Sequence, residues 1–157
     1  MTSPAVLGME PRMGEAREGE LIQFVVPGQP VAKARARTFA HKQSGRIVSM
    51  TPERTRKYEV EVRRAFFAAY PGFKPFGPRV PVMCHVHAMF KAPAKLPPEM
   101  LARPICSQYS DWDNIGKIVS DSLNGIAWAD DRQIADGQTL KYYSRDPRVI
   151  VEIRRLG

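Results

Sequence analysis

The sequence predicts an α+β fold, a mixed β-sheet with two main helices, on three observations. β-rich runs and helical stripes follow the order β, β, α, β, α, β, β, without regular βαβ alternation. One segment, 80–90, alternates apolar residues with period two. Two others, 51–70 and 113–124, carry them at helical spacing. A length of 157 residues fits a single domain with at most a tail. Residues 1–19 are rich in Pro and Gly and lack periodicity, so they read as a poorly ordered tail before one domain over 20–157.

The elements follow in order. Residues 21–26 are a β-rich run stopped by Pro27 and Gly28, a first strand. Lys33, Arg35 and Arg37 then alternate strictly; in an extended chain they project to one side, a row suited to phosphates. Ser44 and Gly45 mark a turn, and 46–49 a short returning strand. Thr51 as N-cap, Pro52 at the first position and Glu53 in the first turn open a helix that Pro71 and Gly72 end. Its Tyr58, Val62, Ala65, Phe66 and Ala69 face the core, with Arg56, Arg63 and Arg64 off that stripe.

Along 80–90, Val80, Val82, Cys84, Val86, Ala88 and Phe90 share one face of a strand, and Met83, His85, His87 and Met89 the other. Residues 91–109, rich in proline, form a long structured connection. In a helix over about 113–124, Ile115, Ile118, Val119, Ser122 and Leu123 fill one arc. Asp113, Asn114, Lys117, Ser120, Asp121 and Asn124 fill the opposite arc, with Gly116 at the margin costing about 1 kcal/mol relative to Ala. Two strands, 139–143 and 149–153, close the chain around a turn at 144–147.

Composition narrows the function. No apolar run reaches the length of a membrane span, and the N-terminus has no basic-then-apolar signal pattern, so a cytoplasmic location without membrane partners is expected. Two cysteines cannot build a disulfide scaffold or a four-cysteine zinc site; Cys84 reads as buried and inert, and Cys106 as a loop residue. The net charge of +8 hides an asymmetry. Residues 29–64 hold ten bases and three acids, whereas 111–136 hold six of the seven Asp with only Lys117 and Arg132. A basic half suits a polyanion, which the acidic half would repel. A divalent cation between carboxylates and phosphate removes that conflict, and phosphodiester hydrolysis uses this combination.

The acidic stretch is therefore the informative one. Asp113 and Lys117, and Lys117 and Asp121, stand four residues apart and stack on successive turns. Asp111 and Asp113 bracket the helix start around Trp112. The apolar Ile126, Ala127 and Trp128 bring Asp130 and Asp131 back toward it after Gly125. Three converging hard carboxylates beside an ammonium group suit Mg2+ or Mn2+ and a scissile phosphate; helix capping and turn formation are the conformational alternative. His85 and His87 lack a Cys or His partner for a metal and read as surface or DNA-adjacent residues. Trp112 and Trp128 read as hydrophobic anchors ahead of base stacking.

The pattern Asp-x-Asp-Asn-apolar-x-Lys-apolar-x-x-Asp-x-Leu, a short turn, then Trp-x-Asp-Asp-x-Gln-Ile resembles the signature of the RusA family of Holliday junction resolvases. Asp111, Asp113, Asn114, Lys117, Asp121, Leu123, Trp128, Asp130, Asp131, Gln133 and Ile134 all fall in register. The basic segment 26–37 and Lys141-Tyr142-Tyr143 are similar to flanking parts of the family. Ser110 replaces a frequent proline before the first Asp, and the N-terminal tail has no counterpart. The resemblance implies a RusA-like homodimer, an Mg2+-dependent endonuclease (Mn2+ able to substitute) that nicks four-way DNA junctions in pairs during recombination and repair. It assigns metal-binding carboxylates to Asp111, Asp113 and Asp131, and the catalytic cation to Lys117. Asn114, Asp121, Asp130 and Gln133 are expected as supporting neighbours, and Lys33, Arg35 and Arg37 as DNA contacts. Two other readings stay open from the residues: a nuclease for flaps or other branched DNA, and a non-catalytic nucleic-acid-binding module.

Overall fold

The computed structural model describes residues 19–105 and 110–157. The expected tail, apart from Gly19, and Cys106 lie outside the described residues. Ten elements appear in this order: β1 (Leu21–Pro27), β2 (Arg37–Ala40), β3 (Ile47–Met50), α1 (Glu53–Ala69), β4 (Val82–Lys91), a 3-10 turn (Pro98–Met100), α2 (Trp112–Ser122), a second 3-10 turn (Asp131–Gln133), β5 (Ile134–Ser144) and β6 (Arg148–Arg155).

A four-stranded sheet runs β1-β6-β4-β5, and β2 and β3 form a separate hairpin. β6 is antiparallel to β1 and β4, whereas β5 runs parallel to β4. Parallel neighbours need a crossover, and the chain makes it through α2, which returns to pack on β4 and β5. The fold is therefore α+β with a mixed sheet and two main helices.

Both helices cover one sheet face. Ile22, Phe24 and Val26 of β1, the alternate residues Val82 to Phe90 of β4, and Val149, Val151 and Ile153 of β6 meet Tyr58, Val62 and Phe66 of α1 and Ile115, Ile118 and Val119 of α2. Phe66 is the aromatic hub, edge-to-face on Phe24 and Phe73. Trp128 is fully buried and donates from Nε1 to Asn124 Oδ1 at 2.9 Å, so it anchors the core as its apolar neighbours predicted. On the opposite face His85 and His87 are half-buried, with Nε2 3.1 Å from Asp136 and 3.2 Å from Glu152.

The structure shifts several element boundaries. Residues 37–40 are a strand that the sequence left within the basic segment; Arg-Thr-Phe-Ala has no apolar alternation and is exposed throughout. β5 begins at Ile134, five residues before the expected start, because backbone pairing with β4 carries the polar Asp136, Gly137 and Gln138. Pro52, not Thr51, caps α1, and neither helix has a side-chain hydrogen bond at its N-cap. Among the described residues no helix is long and apolar enough to cross a membrane.

Candidate active site

α2 starts one residue earlier than its polar arc suggests. Trp112 opens the helix and Asp111 becomes its N-cap, in extended conformation, accepting from Ile115 N at its carbonyl (3.2 Å) while its carboxylate caps nothing. Asp113 in the first turn accepts from Asn114 N at 2.9 Å. Both carboxylates are exposed, and Trp112 between them is 62% exposed, which corrects its reading as a hydrophobic anchor. The buried arc is Ile115, Ile118, Val119 and Ser122, as the periodicity predicts.

Gly116 has a packing reason. A Cβ built there would lie 2.6 Å from Thr139 Oγ1, so α2 approaches β5 more closely than alanine allows. The propensity cost of glycine is thereby offset by helix–sheet contact. Gly116→Ala is expected to lower the melting temperature despite its better helix propensity, and adding Thr139→Ala should recover it, since Thr139 Cβ would sit 4.0 Å away. Equal stability of the glycine and alanine forms would remove this account. Trp112, Asp113, Lys117 and Ser120 line one side of the cleft that this approach creates, and Ile134, Gly137, Gln138 and Thr139 the other. Cys84 lies at its floor, where burial pushes the thiol up to about 12 and leaves it unreactive.

The adjacent acids after Trp128 have separate fates. Asp130 caps the 3-10 turn: its Oδ1 accepts from Arg132 N at 2.9 Å and from Arg132 Nε at 3.0 Å. Those bonds hold its carboxyl below the usual range. Gln133 fixes the turn from inside. Its Oε1 accepts from Ala129 N (2.8 Å) and Asp130 N (3.1 Å), and its Nε2 donates to Gly77 O (2.6 Å) and Val80 O (3.0 Å). Asp131 is the first residue of that turn. Burial, then the like charges of Asp121 and Asp130, push its carboxyl above the ordinary value, and Lys117 offsets part of the effect.

Lys33 is placed differently from the alternating row. Its Nζ lies 2.6 Å from Glu59 and 3.1 Å from Asp121, and its backbone N donates to Asn114 O at 2.9 Å. Burial works against its charge, but the bonds and charges of Glu59 and Asp121 outweigh it and hold the pKa above the usual lysine value. Arg35 and Arg37 remain exposed. Lys33 therefore joins the basic segment to both helices instead of standing free for phosphate. Sequence reasoning missed Glu59. The signal was present: Glu59 follows Thr55 by four residues and falls within the arc of Tyr58, Val62 and Phe66, an acid on a core-facing stripe.

The family model described as Endodeoxyribonuclease RusA matches residues 27–154 of this chain. This chain belongs to the RusA endodeoxyribonuclease family. It is also 31% identical over 145 residues to Uncharacterized protein YqaN of Bacillus subtilis (strain 168), covering 88% of this chain and 99% of that protein. The matched span includes β1's last residue, the basic segment, both helices and the acidic turn. Membership of the RusA family makes the chain an endodeoxyribonuclease, a hydrolase of phosphodiester bonds.

The acidic residues expected to form the site are only partly gathered. The charges of Asp121 and Lys117, both on α2, act on the Asp131 carboxyl of the acidic turn. Asp111 and Asp113 stand at the opposite end of α2; Asp113 and Asp121 are separated by eight residues, about 12 Å of helix rise. Among the described residues no three His, Cys, Asp or Glu side chains are grouped as a ready metal cage. The donors nevertheless fit a hard cation. Mg2+ is commonly held by one or two carboxylates, with water and substrate phosphate completing its shell. Exposed Asp111 and Asp113, and an Asp131 crowded by negative charge, are oxygen donors suited to that arrangement.

Proposed function

We propose that this protein is a Mg2+-dependent homodimeric endonuclease that resolves four-way DNA junctions by paired nicks. The observation that carries the reading is that Asp113 and Lys117 line one cleft beside α2 in a chain of the RusA endodeoxyribonuclease family. Asp111, Asp113 and Asp131 hold the ion, and Mn2+ can replace it. When bound, the ion supplies an activated water and neutralises charge on the scissile phosphate. Lys117, on the same arc, neutralises a further phosphate oxygen as charge develops. Asp130 and Gln133 hold Asp131 in place, and Asp121 with Asn114 ties the site to Lys33. A four-way junction is two-fold symmetric, so a C2 dimer presents one site to each of two strands.

Arg35 and Arg37 contact the phosphate backbone. Arg35→Ala with Arg37→Ala is expected to weaken junction binding and to reduce the salt slope by about two. An unchanged slope would place the contacts elsewhere. The reading itself is tested with an end-labelled synthetic four-way junction, with and without Mg2+, beside a flap substrate. Paired, symmetric nicks on the junction that need the metal support it. Cleavage of flaps alone would make the enzyme a nuclease for other branched DNA, and binding without cleavage a passive module.

A further inference from the structure

The β2–β3 hairpin forms a sheet of its own, separate from the four-stranded one. Arg37 pairs with Met50, Thr38 with Ser49, Phe39 with Val48 and Ala40 with Ile47. Cross-strand partners share a face, so Arg37, Phe39, Val48 and Met50 project to one side and Thr38, Ala40, Ile47 and Ser49 to the other. Both sides are open: Phe39 and Met50 are each 47% exposed and Ile47 is 79% exposed. A two-stranded ribbon is marginal in water, and large apolar side chains on its surface point to something that covers them.

Charge decides which occupant. Residues 34–52 contain Arg35, Arg37, Lys42 and Arg46 and no acid. A second copy of the hairpin would bring like charges together, whereas nucleic acid complements them. The roots of the hairpin are tied to the helices that carry the site. Lys33 is bonded to Asn114 and Asp121, and Ala34 N donates to Thr55 Oγ1 at 3.4 Å. Phe39 is six residues from Lys33, so it lies within about 20 Å of it even in a fully extended chain.

We propose that this hairpin is a base-contacting wedge, with Phe39 stacking on bases left open at the branch point while Arg37 and its basic neighbours follow the backbone. The inference rests on the resolvase reading and adds to it the element that senses an open branch. Apolar side chains wedge between base steps, and aromatic stacking on open bases is largely indifferent to sequence.

The test uses the full chain without divalent metal and a four-way junction carrying 2-aminopurine beside the branch point. The wild-type protein should raise the fluorescence on saturation. Phe39→Ala should abolish the rise and weaken junction binding by roughly 5- to 100-fold, leaving linear duplex binding unchanged, and Phe39→Trp should retain both responses. A full rise with Phe39→Ala would overturn the inference, as would loss of self-association by that variant in sedimentation, which would assign the face to a second copy. If the wild-type protein binds the junction with no rise, the wedge alone fails. If it binds no junction at all, the resolvase reading fails with it.

Discussion

Asp131→Asn is expected to cut junction cleavage by about a thousandfold, the several kcal/mol that a metal-held phosphate contributes, while junction binding persists. The same change should raise the melting temperature of the metal-free protein at neutral pH. The sign follows from the crowded carboxyl. Its pKa is raised in the fold, so the native state holds that proton more tightly than the unfolded chain does. Stability from this group is present at low pH and is lost as pH rises through the folded pKa. Asparagine carries no charge and escapes the loss, so the two proteins should converge in acid and separate toward neutrality. Matched cleavage rates would remove Asp131 from the chemistry; matched stability at all pH values would remove the crowding argument.

Gln133→Leu should be the most damaging single change to the frame of the site. The side chain is 8% exposed and joins four backbone groups, the N–H of Ala129 and Asp130 and the carbonyls of Gly77 and Val80. Leucine fills the space but leaves all four without that partner. At about 1–3 kcal/mol for each buried group left unpaired, and with water reaching some of them, a total of about 3–5 kcal/mol is expected in urea unfolding. Cleavage should fall as well under conditions where the variant is still folded, because the turn that carries Asp131 is no longer tied down. An unfolding midpoint equal to wild type would show that the clamp contributes little.

These two residues also mark what a sequence reader could and could not see. The long period-two alternation of β4 and the divided arcs of α2 are local, and both appear as expected. The acidic pattern located the turn, but that Asp130 rather than Asp131 caps it and binds Arg132 is a matter of turn geometry that the sequence does not display. Lys33 has the alternation of a DNA-facing row; its partners Glu59 and Asp121 lie 26 and 88 positions away, beyond any periodicity. The first strand of the hairpin has no apolar alternation and is exposed throughout, so it carries no period-two burial signal. Gly116 looked like a helix defect until Thr139 was placed against it.

The proposed cleavage requires Asp131 to meet the pair at the start of α2 around one ion once DNA is present. The most direct measurement is a Mn2+ titration followed by electron paramagnetic resonance, with a junction protected from cleavage, on wild type, Asp111→Asn, Asp113→Asn and Asp131→Asn. Tight binding by wild type, weakened at least about tenfold in each variant, is the predicted result. A wild-type affinity retained by Asp131→Asn would contradict it.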